Sequence, residues 1–321
     1  GQPAVDGPGG GTGGGVSQPP DALDAPPAAL PPEPPTRIWP SLVVAFLGIP
    51  AAAILTLCYL RPLSTIHPLP VDPLDDLDTM AFAVFVFDLI LLGLVYFAAE
   101  RSPVPVPERL AYRPVSFRWW EWVAIVFATE GISLLTVLGV ARILDEPPED
   151  AQLLLTWLDH AGGMAKVGLA FGVAVMAPIV EETLFRGYVL GGLLRRWTPF
   201  WAILVSSYAF ALAHGSVGYQ LLILPFGLYL GILTYRTRSI FPAMARHAYG
   251  NGLATVGFFM TEVQRLWLFR PPGEPSAFEI AGLVALPVAI WVLVKGAASP
   301  NHVLTVPNPG EYTVDGPPLG H

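Results

Sequence analysis

Eight apolar runs, separated by charged or proline-rich linkers, govern what this chain can fold into. They cover roughly residues 38–60, 80–99, 122–140, 164–194, 200–213, 219–235, 240–260 and 277–294. Of the 321 residues, 53% are hydrophobic and only 13% are charged. A soluble domain carries about 25% charged residues, so the deficit marks a chain that faces lipid. The expected fold is all-α: a polytopic membrane helical bundle of about eight transmembrane helices with disordered N- and C-terminal tails. Residues 1–36, rich in Gly and Pro, and the polar tail 299–321 bury too little apolar surface to offset their ordering entropy. Between them the sequence divides into three spans with their linkers (37–161), a core (162–262) and a last span (263–298).

Arginines alternate along the linkers. Four lie between the second and third runs, Arg195 and Arg196 follow the fourth, and Arg236 and Arg238 follow the sixth. The first and third linkers are acidic instead. The positive-inside rule then puts both termini in the cytoplasm of a multi-pass integral membrane protein, in the plasma or inner membrane if the cell is bacterial. The net charge of −8 is carried by loops and tails and argues against nucleic-acid binding. The single cysteine, Cys58, can build neither an intrachain disulfide nor a cysteine-based zinc site, and it reads as a packing residue.

The fourth run contains Glu181, Glu182 and Arg186. A charged side chain at mid-span costs at least about 2.5–3.5 kcal/mol, so charges there need a partner and usually a role. Glu182 and Arg186, four apart, share a helix face and can pair. Glu181 points about 100° away, without that partner. Pro178 removes a backbone hydrogen bond three residues earlier, and the carbonyl it frees needs protein or a wet cavity. Of six histidines only His214 and His247 fall within or at the end of apolar runs. Phe210 lies one turn before His214, and Asn251 one turn after His247. Asp88 and Glu130, inside the second and third runs, read as structural polar contacts, and His160 as a solvated residue on an amphipathic interfacial piece, 151–160. At a straight-helix rise of 1.5 Å per residue, His247 would lie roughly 10–12 Å below the basic end of its span, and Glu181 and His214 each about 20 Å.

In order and residue type, Glu181-Glu182-xxx-Arg186, Phe210-xxx-His214 and His247-xxx-Asn251 resemble the three motifs of the CAAX-protease and bacteriocin-processing (CPBP, "Abi") intramembrane endopeptidases, which include the type II CAAX prenyl endopeptidases. The resemblance covers roughly residues 164–260. It implies hydrolysis of a peptide bond in a membrane-associated protein or peptide, lipidated or not. Glu181 would deprotonate the attacking water, and His214 would position that water or carry its proton. His247 and Asn251 would donate to the developing oxyanion. Glu182 and Arg186 would hold the helix, and Phe210 would wall the cavity. No cofactor is expected. The competing reading is a zinc site of Glu181, His214 and His247, although H-E-x-x-H is absent. A non-catalytic membrane scaffold and an ion-coupled transporter using Glu181, Asp88 and Glu130 are the non-enzymatic alternatives.

Overall fold

The computed structural model describes Gly1 and residues 39–64, 77–140, 163–256, 259–260 and 275–298. The expected disordered tails and the amphipathic piece ending at His160 lie outside the described residues. Each apolar run forms helix: α1 (Trp39–Ser64), α2 (Leu77–Glu100), the one-turn α3 (Val106–Arg109) in a linker, α4 (Trp119–Val140), α5 (residues 163–193), α6 (Pro199–Leu212), α7 (Val217–Thr237), α8 (Phe241–Val256) and α9 (Ala277–Ala298). No strand occurs among the described residues. The fold is all-α, as the apolar pattern requires.

Among the described residues, five helices are long and apolar enough to cross a membrane by length and composition: α2, α4, α5, α7 and α9. The expected count of about eight is not confirmed by that criterion. At 14 and 16 residues, α6 and α8 reach only about 21 and 24 Å of a hydrocarbon core about 30 Å thick. Large apolar side chains such as Phe97, Leu135, Ile232 and Val284 stay exposed on the long helices, as lipid-facing residues would.

Two packing devices position the core. Glycines let α4 and α9 touch backbone to backbone: a Cβ on Gly131 would lie 2.7 Å from the Gly282 carbonyl carbon. Such small-residue contacts bring helices together where lipid offers no hydrophobic drive. The pair is joined to α7, whose Tyr229 hydroxyl donates to the Ile125 carbonyl at 2.8 Å. Helices α2 and α5 run in the same direction, with Ala81 beside Gly168 and Val84 beside Gly172. Their C-terminal ends therefore share one end of the bundle, together with the α7–α8 turn.

The linker between α2 and α4 fills that end. Arg109 is buried beneath α5, 3.9 Å from the Tyr188 ring centre, and donates to Ser41 Oγ at 3.1 Å. Burial pushes its guanidinium down to about 10. Gly187 is required here, since a Cβ would sit 2.8 Å from the Leu110 carbonyl oxygen. Tyr112 links the linker to the core through directed hydrogen bonds. Tyr96 donates to Tyr112 at 2.9 Å, and Thr183 donates to the Ile179 carbonyl at 2.6 Å. Tyr112 must then donate to Thr183, 3.0 Å away.

Candidate active site

The site is built on α5, which is not a plain α-helix. Residues Gly172–Met176 and Glu182–Leu190 wind as π-helix on either side of the α-helical turn Ala177–Glu181. Pro178 explains the first stretch. Lacking an N–H, it cannot close the ladder, and the Ala177 N–H reaches back five residues to the Gly172 carbonyl. The Val173 carbonyl, whose π-type partner would be the missing proline N–H, accepts from Asn251 Nδ2 at 2.8 Å. The proline was expected to free a carbonyl; the group that takes it up is Asn251 of α8.

Glu182 and Arg186 form the expected pair at 3.1 Å, both side chains fully buried. Arg186 also donates to the Gly227 carbonyl at 3.0 Å and lies 4.1 Å from the Phe210 ring centre. Glu182 has a second partner that the sequence did not disclose: His247 Nδ1 at 2.8 Å from Oε1. That carboxylate fixes the His247 tautomer with its proton on Nδ1. His214, just past the end of α6, donates from Nδ1 to the Phe210 carbonyl at 2.8 Å, which also leaves its Nε2 unprotonated when the ring is neutral.

Both Nε2 atoms face Glu181. His214 Nε2 stands 3.7 Å, and His247 Nε2 3.8 Å, from Glu181 Oε2. Glu181 Oε2 is buried and has no hydrogen-bond partner among the described residues. With Glu181 ionised and both rings neutral, three acceptors converge with no donor between them. Phe210 is the wall they share, with ring centres 4.5 Å from His214 and 5.8 Å from His247. Glu181 of α5, His214 just past α6 and His247 of α8 come together, while Asn251 binds the backbone of α5 one turn along α8. Among the described residues, no group of three or more His, Cys, Asp or Glu is set to hold a metal ion.

Three further groups support the site. Arg246 pairs with Glu130 at 2.9 Å and ties α8 to α4 beside His247. The pair was not foreseen, although Glu130 was read as structural. Asp88 is buried on α2, and Glu181 is its electrostatic neighbour. Tyr112 reaches Thr183, two residues from Glu181. The sequence offered no signal for it beyond an aromatic in a linker.

A buried carboxylate thus lies between two imidazoles inside a bundle of apolar helices. Residues 163–253 match the family described as "Type II CAAX prenyl endopeptidase Rce1-like". The "Putative membrane peptidase YdiL" of Bacillus subtilis (strain 168) is 29% identical over 83 residues, 26% of this chain. The matched stretch covers 34% of that protein. No solved structure matches the chain. The stretch from α5 to α8 is thus similar to a family of type II CAAX prenyl endopeptidases.

Proposed function

We propose that this chain is an intramembrane endopeptidase that hydrolyses a peptide bond of a membrane-associated protein or peptide with a water activated by Glu181. The observation that carries the reading is the meeting of Glu181 Oε2 with His214 Nε2 and His247 Nε2 at 3.7 and 3.8 Å. These separations exceed a direct hydrogen bond and suit a bridging water. A water supplies the two O–H donors that the three acceptors lack.

In this mechanism Glu181 takes a proton from the bound water as its oxygen attacks the carbonyl carbon. A positioned general base is worth about 10²–10⁴ in rate. His214 orients the water and passes the proton to the leaving amine. The second N–H of Asn251 Nδ2 is left to face the oxyanion, while His247 Nε2 accepts the O–H that stays on the attacking oxygen. An oxyanion donor is worth about 2.7–4 kcal/mol. Glu182 keeps His247 in register and Arg186 balances Glu182. Phe210 keeps both rings in place. The substrate is a CAAX-type or related segment, lipidated or not, and both termini of the enzyme lie on the cytoplasmic side.

A zinc ion held by Glu181, His214 and His247 would also satisfy three acceptors, so the test includes a chelator. Purified full-length protein in liposomes is incubated with a peptide library, and the products are mapped by mass spectrometry. The expected result is discrete cleavage that resists the chelator and disappears in Glu181→Gln. Cleavage lost on chelation and restored by zinc would replace the metal-free mechanism. Solute flux with no cleaved product would replace the peptidase reading by a transporter.

A further inference from the structure

We infer that Arg113 and Arg238, at the arginine-rich end of the bundle, form a binding site for the phosphate of an anionic lipid headgroup. The inference does not depend on the peptidase reading.

Arg238 caps α7 in a left-handed conformation, φ 60° and ψ 19°, with its N–H on the Thr234 carbonyl at 2.8 Å. Its Nε and Nη2 are covered yet have no hydrogen-bond partner. Unmet guanidinium donors are costly to bury, so they call for an acceptor. The neighbour the fold supplies is a second cation. The Ser239 hydroxyl donates to the Arg113 carbonyl at 2.5 Å, and the Ile240 N–H to the Ala111 carbonyl at 3.2 Å, which bring the linker against this turn. Neither arginine forms an ion pair among the described residues. Burial and Arg113 both push the Arg238 guanidinium down, as expected of two cations with no anion between them.

Phosphate suits this geometry because two guanidinium forks can share its oxygens in charge-assisted bonds. A lipid is favoured as the source by position. Arg238 directly follows α7, a helix able to cross the membrane, so it stands where the apolar layer gives way to headgroups. Trp119 and Phe241 are exposed nearby in sequence, 78% and 42%, as side chains of an interfacial belt are. Basic pockets at this level between helices are suited to anionic headgroups.

The test uses the full chain in neutral detergent and native mass spectrometry, titrating dioleoylphosphatidylglycerol. Parallel titrations use dioleoylphosphatidylcholine, inorganic phosphate and a tripeptide with a free carboxylate. Wild type is expected to bind phosphatidylglycerol at least about ten-fold more tightly than the other three. Arg238→Gln and Arg113→Gln should each weaken it about ten-fold, the loss of one charged hydrogen bond. Arg238→Lys should weaken it less, and Arg101→Gln, at the same end, should leave it unchanged. Arg113→Gln lies in a linker and carries the test if Arg238→Gln does not fold. Equal phosphatidylglycerol affinity in wild type and Arg113→Gln would overturn the site. Inorganic phosphate bound as tightly as the lipid would overturn the headgroup assignment, as would the tripeptide bound in its place.

Discussion

Replacing Arg186 with methionine tests whether the core of α5 rests on charge pairing. Arg186 and Glu182 are 3.1 Å apart with both side chains fully buried, so no water screens what is left when one is removed. Breaking a buried pair from one side costs about 3–5 kcal/mol. Arg186→Met also removes the 3.0 Å bond to the Gly227 carbonyl and the 4.1 Å contact with the Phe210 ring. Hydrogen bonds from charged groups contribute about 1.5–3 kcal/mol, and a desolvated cation–π contact about 2. These overlap with the pair penalty, which sets the expectation at its upper end, about 4–5 kcal/mol. The double variant Glu182→Gln/Arg186→Met leaves no uncompensated charge and should be less destabilised than Arg186→Met alone. Reversible unfolding in mixed micelles, followed by circular dichroism, measures both. A loss below about 1 kcal/mol for Arg186→Met, or a double variant equal to the sum of the singles, would refute the reasoning.

Gly131→Ala should destabilise the bundle by about 1–3 kcal/mol, because its Cβ would lie 2.7 Å from the Gly282 backbone and force α4 and α9 apart; thermal unfolding checks this. Arg246→Met should lower cleavage more than it lowers stability, since it frees α8 beside His247 from Glu130 at 2.9 Å; unfolding and kinetics run in parallel separate the two effects. Burial holds the Tyr112 hydroxyl well above the ordinary tyrosine range. Because its folded value is the higher one, the stability it contributes is complete below about pH 10 and is lost as pH rises through the folded value. The difference in ultraviolet titration between wild type and Tyr112→Phe should show no tyrosinate near pH 10, and a normal titration there would contradict that.

Much of this architecture was legible in the order of residues, and the failures are instructive. The apolar runs marked every long helix, and the spacing of Glu182 and Arg186 disclosed their pair. Local periodicity cannot say which helices meet. Residue depth pointed towards a shared cavity with His214 as the weakest fit, and the family resemblance supplied the roles of Glu181, His214 and His247. The depth arithmetic treated α5 as a straight α-helix, whereas two π stretches change its rise and the direction of its side chains. For the same reason the Asn251–Val173 contact was invisible, since it depends on which carbonyl the ladder shift around Pro178 leaves free. The linker carrying Arg109 and Tyr112 was read only as charge. Its packing beneath α5 depends on Gly187, whose lack of a side chain has meaning only once the neighbour is known.

The most direct measurement is the single-turnover cleavage rate of a mapped substrate in liposomes, wild type against Glu181→Gln, with circular dichroism to confirm that the variant folds. The account requires a fall of at least about 10²-fold, the lower bound for loss of a positioned general base. A folded Glu181→Gln protein that cleaves at the wild-type rate would contradict it.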